Sequence, residues 1–203
     1  MIEPGLWDMI MRLRSRGISD TRLIAGLETV PRSRFVPEPL RARAYDETAL
    51  PIACGQSLLP PLASAQMAQV LGAQAEHKVL LVGLGSGWLA GVIARSVRRV
   101  YAVDRYQQLV READANLERA GAGGVVTRWS DGRYGWKGQA PFDHILLTCA
   151  VKTVPKGLLA QLAPDGVLVG VVGGQLSRVE GGEVRTLFPL DLPPIEPGKS
   201  AVL

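Results

Sequence analysis

Val79-Leu80-Leu81-Val82-Gly83-Leu84-Gly85-Ser86-Gly87-Trp88 decides how this chain is read. Four apolar residues of strand type run into three alternating glycines, and Leu89-Ala90-Gly91-Val92-Ile93-Ala94-Arg95 follows with helical composition. A strand, a glycine turn and a helix start, in that order, bring a backbone close to a nucleoside-bearing ligand. Glycine permits the tight turn and removes the side chain that would block the approach. The helix start adds N–H groups that have no partner inside the helix. The stretch therefore predicts a bound nucleoside cofactor.

The alternation continues on both sides. Strands are predicted at Val79–Val82, Arg99–Asp104, Val125–Trp129, Phe142–Thr148 and Val167–Val172. Helices are predicted at Trp88–Ser96, at Tyr106–Ala120 with Gly121 as its stop, and at Pro155–Leu162, broken by Pro164-Asp165-Gly166. Gln175–Val179 and Glu183–Phe188 are expected to pair as a hairpin across Glu180-Gly181-Gly182. Upstream, helices are expected at Trp7–Arg16, from Ser19-Asp20-Thr21 through Thr29, and at Ser64–Leu71, with Gln56–Leu62 as a loop. Alternating strands and helices imply an α/β fold with a parallel, doubly wound sheet. Such sheets bind ligands beyond the carboxyl ends of their strands. Gly83, Gly85, Ser86, Gly87, Asp104, Asp131 and Gly132 all fall at such ends.

Asp104 ends the second strand, where an acid accepts hydrogen bonds from ribose hydroxyls. It does not separate NAD from S-adenosylmethionine, and neither does the loop. Gly83-x-Gly85-x-Gly87 has methyltransferase spacing, while Gly85-x-Gly87-x-x-Ala90 fits the relaxed dinucleotide fingerprint. Asp131-Gly132 tips the balance toward an adenosyl ligand, because an acid there can accept from an adenine amino group. The competing reading of Asp131-Gly132 is an ordinary turn.

The 203 residues are 47% hydrophobic and 21% charged, the composition of a globular chain able to bury a core without disulfides. No apolar run approaches the ~18 residues of a membrane span, and Glu3, Asp8, Arg12 and Arg14 interrupt any signal-peptide core. A cytoplasmic protein with no membrane partner is expected. Cys54 and Cys149 are too few and too far apart for a disulfide framework, and no metal site is expected. The net charge of +4 is modest, and Arg12, Arg14 and Arg16 do not share one helical face, so no nucleic-acid partner is expected.

Several further segments carry a resemblance. Arg14-Ser15-Arg16-Gly17-Ile18-Ser19-Asp20, Val30-Pro31-Arg32-Ser33-Arg34-Phe35-Val36-Pro37, Ala44-Tyr45-Asp46, Ala49-Leu50-Pro51-Ile52 and Gly55-Gln56-Ser57 precede the glycine loop. Asp104, Asp131-Gly132 and Phe142-Asp143 follow it. In this order and spacing, from Met9 to Pro189, the chain resembles the protein-L-isoaspartate (D-aspartate) O-methyltransferase family. The resemblance implies a Rossmann-like S-adenosylmethionine-dependent methyltransferase sandwich with a mostly parallel sheet and a C-terminal hairpin. The expected organisation is one domain, 1–203, with an N-terminal helical and loop region, 1–77, and a Rossmann-like core, 78–203. Its cofactor is S-adenosylmethionine, with S-adenosylhomocysteine as product. Its partners are damaged proteins or peptides carrying isoaspartyl residues, whose free carboxylate is methylated. Cofactor binding is carried over to Gly83, Gly85, Ser86, Gly87, Asp104, Asp131 and Gly132, and substrate binding to Pro51, Ile52, Gly55 and Gln56. Oligomeric state, monomer or otherwise, is left open.

The chain also departs from the family's pattern. The family's reactive-loop serine falls at Leu59, and the following glutamine at Pro60. Leucine neither donates nor accepts a hydrogen bond. Ser57, two residues earlier and on the same side of an extended loop, is the candidate catalytic hydroxyl. Leu81 stands where the family commonly has an acid, and Leu84, where a small threonine is usual, is expected to narrow the cofactor site. Trp88 replaces a tyrosine, and Asp191-Leu192-Pro193-Pro194-Ile195 replaces an apolar motif that helps close the substrate pocket. These changes keep two other readings open, a catalytically impaired member acting by binding and a methyltransferase with another acceptor; the relaxed dinucleotide fingerprint alone keeps a third, an NAD-dependent oxidoreductase.

Overall fold

The computed structural model describes Glu3 and residues 5–200. The N-terminal region opens with helices α1 (Leu6–Ser15) and α2 (Thr21–Thr29). The Asp20 side chain caps α2, accepting from the amides of Arg22 at 2.9 Å and Leu23 at 3.2 Å. The proline-rich stretch beyond forms two 3-10 turns, Arg32–Phe35 and Glu38–Arg43. Two short strands, β1 (Leu50–Pro51) and β2 (Ser57–Leu58), then pair antiparallel and close the 50–58 loop on itself. Helix α3 (Pro61–Leu71) starts three residues before the expected Ser64. Proline is no obstacle in a first turn, where its missing N–H would have had no acceptor.

The rest is the expected alternation: β3 (Lys78–Val82), α4 (Trp88–Ala94), β4 (Arg99–Asp104), α5 (Gln107–Ala120), β5 (Val125–Trp129), β6 (Phe142–Val151), α6 (Lys156–Leu159), β7 (Leu162–Val172), β8 (Gln175–Glu180) and β9 (Glu183–Pro189). The sheet order is β5-β4-β3-β6-β7-β8-β9, parallel as far as β7 and antiparallel from there. The chain leaves β3 for β4 on one side and returns to β6 on the other. The switch point therefore lies at the carboxyl end of β3, where the glycines are.

The largest departure from the predicted boundaries is at β7. Pro164-Asp165-Gly166 does not separate a helix from a strand, because β7 runs through it and α6 is a single turn. Leu162 pairs with Phe142 and Val167 with His144, and a register shift between the two pairs absorbs the irregular residues. Pro164 and Asp165 are exposed at this shift, where a missing ladder bond is tolerated.

Strand periodicity sorts β3 into two cores. Val79 and Leu81 point to a face shared with Met67, Leu71, Leu89 and Leu146, while Leu80 and Val82 point to one shared with Phe142, Ile145 and Leu147. A third cluster joins Met9, Ile10, Leu13, Leu27 and Phe35 to Trp88, Val92 and Leu117, fastening the N-terminal region onto α4 and α5. Among the described residues, no helix is long and apolar enough to cross a membrane.

At the amino end of β6, His144 Nε2 lies 2.8 Å from His77 Nδ1. That nitrogen also accepts from the Gln74 amide at 2.9 Å, so His144 must be the donor. Its other nitrogen, Nδ1, is buried without a partner. A second proton on His144 would be buried there, and burial first, then the nearby His77 and Arg178, lower its pKa to about 4 despite Asp143 and Glu180. The unfolded chain takes up this proton near the ordinary value of 6.5. Between about pH 6.5 and 4 it therefore binds more protons than the native state, and stability falls as pH falls. Replacing His144 by phenylalanine is expected to flatten the decline of Tm over that window. A thermal denaturation series with the same slope for both proteins would remove His144 as its cause.

Candidate cofactor and methyl-transfer site

The glycine loop folds back on β4. The amides of Gly83 and Leu84 both donate to the Val103 carbonyl, at 2.9 and 3.2 Å. Gly83, Gly85 and Gly87 have φ values of 93°, 55° and 90°, a region that other residues rarely adopt. A Cβ on Gly83 would sit 2.2 Å from Thr148 Oγ1, and one on Gly87 3.1 Å from the Ala113 Cβ. Gly83 thus allows the end of β6 to close on the loop, and Gly87 allows α5 to approach α4.

Asp104 ends β4 with 7% exposure. Its two oxygens accept from the amides of Gly85 and Tyr106, each at 3.0 Å. Burial raises its pKa, and the amides of Tyr106, Gly85, Leu84 and Arg105 pull it back. The carboxylate therefore clamps the loop to the start of α5 while facing the cleft, with lone pairs left for a ligand.

This cleft, open to solvent, lies over the switch point. Of the residues expected to bind cofactor or substrate, Gly83, Gly85, Asp104, Gly132, Ile52 and Gln56 line it, as does the candidate catalytic Ser57. Pro51 and Gly55 do not; they lie on the exposed side of the 50–58 loop and set its turn, Gly55 with φ 63°. A Cβ on Gly132 would lie 2.5 Å from Val82 Cγ1, so only glycine lets this backbone settle against β3.

Asp131 departs from its expected role as a free adenine acceptor. Its carboxylate accepts from the amide, Nε and Nη2 of Arg133 and, at 2.7 Å, from the Gly198 amide. Four donors fill the lone-pair sites of a carboxylate. Burial pushes the Asp131 pKa up, but the bonds from Arg133 and Gly198 outweigh it and leave the group below its usual value.

Gly198 belongs to a tail that the sequence shows only as proline-rich. The tail bonds to the end of β6 through Ala150 and returns over the start of α5 through Ser200, whose amide donates to the Arg105 carbonyl at 2.7 Å. Glu196 pairs with Arg105 and accepts from the Tyr106 hydroxyl. Pro194, Ile195 and Glu196 thereby become a wall of the cleft, as do Tyr106 and Thr148. Their sequence signal was faint: Tyr106 directly follows Asp104-Arg105, and Thr148 ends a strand.

A second, small inner pocket lies behind the loop. It shares Ser57, Gly83, Gly85 and Thr148 with the cleft, so these four residues form the neck between the two. Ser86 lines the inner pocket, and its buried hydroxyl has no partner. Leu59 and Leu84 line it too. The expected narrowing by Leu84 thus falls on the inner pocket and leaves the cleft open. Leu81 reaches neither; it is 1% exposed and packs in the same apolar cluster as Leu59 and Leu84.

A mostly parallel sheet with its glycine loop at the switch point, an acid clamping that loop and a tail over the cleft define a Rossmann-like S-adenosylmethionine-dependent methyltransferase fold. The chain belongs to the protein-L-isoaspartate(D-aspartate) O-methyltransferase family, which it matches over residues 7–180. It is 44% identical over 201 residues to the protein-L-isoaspartate O-methyltransferase of Rhodospirillum rubrum, covering 94% of this chain and 92% of the relative. It is 45% identical over 177 residues to that of Maricaulis maris, covering 87% and 83%. Among solved structures, one described as a protein-L-isoaspartate O-methyltransferase superposes with a TM-score of 0.83 at 20% identity, over 95% of this chain and 66% of that longer one. Another, from Plasmodium falciparum in complex with S-adenosyl-L-homocysteine, gives 0.80 at 19% identity over 93% and 97%. At such identities the two structures speak for the fold alone.

Proposed function

We propose that the chain transfers a methyl group from S-adenosylmethionine to the free carboxylate of isoaspartyl residues in proteins or peptides. The observation that carries this reading is the loop clamped by Asp104 at the neck between cleft and inner pocket, in a chain of this family. The cofactor fits the residues present, because the glycine cradle has no room for side chains at Gly83 or Gly132 and Ser86 offers an unpaired hydroxyl. When bound, S-adenosylmethionine supplies an electrophilic methyl on a sulfonium.

The residues contribute position more than acid–base chemistry. A carboxylate is already anionic at neutral pH and needs no general base. Asp104 and the side-chain-free surface of the glycine loop orient the adenosyl group, and Ile52 and Gln56 border the approach of the peptide. Holding nucleophile and methyl in line is worth several kcal/mol of barrier. Cys149, the thiol lining the cleft, is pushed up to about 12 by burial, so it stays protonated and does not compete for the methyl. Ser57 is the hydroxyl we assign to the acceptor carboxylate in place of a serine at Leu59. Leu59, Leu81 and Leu84 belong to one apolar cluster behind the loop.

Two measurements test this. Radiolabelled methyl transfer is expected to an isoaspartyl peptide and not to its normal aspartyl counterpart; equal labelling of both would reject the acceptor. Ser57→Ala is expected to lower kcat by about 10- to 100-fold, the worth of one charge-assisted hydrogen bond, with cofactor affinity unchanged. Unchanged turnover would remove Ser57 from the chemistry. A cytoplasmic location and a single-domain organisation complete the proposal.

A further inference from the structure

We propose that Arg32 supplies the positive charge that holds a ligand carboxylate in the inner pocket, acting from directly behind the pocket wall. The guanidinium is fully buried, at 0% exposure. Its Nε donates to the Ala44 carbonyl at 2.7 Å and its Nη2 to the Leu59 carbonyl at 2.6 Å. The group stacks on Trp88, 4.4 Å from the ring centroid. Leu59 and Trp88 are both walls of the inner pocket, so the charge lies one residue layer from its contents.

Two observations point to a ligand. Arg32 makes no ion pair among the described residues, and its Nη1 has no hydrogen-bond partner. Buried cations are otherwise paired or neutralised. Ser86 Oγ, on the pocket itself, is likewise buried and unpartnered. The third such atom, His144 Nδ1, is at the opposite end of β6. Burial lowers the Arg32 pKa to about 9, against the opposing pull of Glu47 and Tyr45, so the group is still charged at neutral pH. An anionic ligand beside Ser86 would place its charge in a low-dielectric wall opposite this cation, where attraction is weakly screened.

The inference rests on the methyltransferase reading, which offers two carboxylates: the amino-acid end of the cofactor and the isoaspartyl side chain. The test uses the full chain, S-adenosylmethionine and its decarboxylated analogue, and the variants Arg32→Met and Arg32→Lys. If the cofactor's carboxylate is held, Arg32→Met is expected to weaken S-adenosylmethionine about tenfold and the decarboxylated analogue less than twofold. If the substrate's carboxylate is held, cofactor affinity stays and the KM for an isoaspartyl peptide rises about tenfold at unchanged kcat. Arg32→Lys keeps the charge without the planar fork and is expected to restore most of the discrimination. It also serves should Arg32→Met fail to fold, since a folded lysine variant that loses affinity equally for both cofactor forms at unchanged KM, although its charge is kept, overturns the proposal. Equal loss for both ligands with unchanged KM marks Arg32 as a structural clamp only and overturns it too. Wild-type protein that binds neither ligand overturns the methyltransferase reading itself, a distinct result.

Discussion

Replacing Asp104 by alanine is expected to weaken S-adenosylhomocysteine binding by at least about 100-fold and to destabilise the protein by about 2–4 kcal/mol. The two effects have separate origins. Stability falls because the amides of Gly85 and Tyr106 lose their common acceptor at a site only 7% exposed. Each buried donor left unpaired costs about 1–3 kcal/mol. Binding falls because a carboxylate that accepts from ribose hydroxyls makes charge-assisted bonds of about 1.5–3 kcal/mol each. Asp104→Asn keeps one acceptor oxygen and is expected to fall between wild type and alanine in both respects. Calorimetric titration and thermal denaturation separate the terms. An alanine variant that loses stability but binds within threefold of wild type would show that Asp104 holds the loop without touching the ligand.

Gly83→Ala is expected to be the most damaging single methyl in the chain, with a loss of about 3–5 kcal/mol in stability and no measurable cofactor binding. The added Cβ would lie 2.2 Å from Thr148 Oγ1, inside any allowed contact. That oxygen is not free to move away. Its proton is shared between the carbonyls of Gly83 at 2.6 Å and Val82 at 3.1 Å, and the side chain is branched at Cβ. The φ of 93° adds backbone strain of about 1–3 kcal/mol for any residue but glycine. Gly138→Ala is the control, since nothing lies within 4 Å of its Cβ position and its φ is not positive; it is expected within about 0.5 kcal/mol of wild type. In a Gly83→Ala/Thr148→Ala double variant the steric part is expected to be relieved and the backbone part to remain. A Gly83→Ala protein with wild-type Tm and affinity would mean the loop adopts another geometry in solution.

Much of this molecule is legible in its sequence, because the relevant signals are local. The run Val79–Val82 is apolar throughout, as a strand buried on both faces must be. Gly83, Gly85 and Gly87 follow it at the spacing of a nucleotide loop, and Asp20 and Gly121 mark helix ends by their own chemistry. Asp104 is identifiable from being the last residue of the next strand.

Contacts distant along the chain were not legible. Pro164-Asp165-Gly166 looks like a break, and only the partner strand β6 with its register shift keeps it in β7. Asp131 looks like a free acceptor until the Gly198 amide, 67 residues on, occupies it. Leu81 and Leu84 look like equal threats to the cofactor, yet strand periodicity and the loop's turn send one into the core and the other to the inner pocket. Arg32 reads as part of a motif, and nothing in that motif says that its charge lies behind Leu59 and Trp88. The sequence by itself determined the central strands β3 to β5, the glycine turn and the acid that follows, because each depends on the dihedral preferences and burial pattern of neighbouring residues. Tertiary structure alone decided which lone pairs stay free, which leucines face the inner pocket and which buried cation makes no ion pair among the described residues, because those depend on groups brought together only when the chain closes.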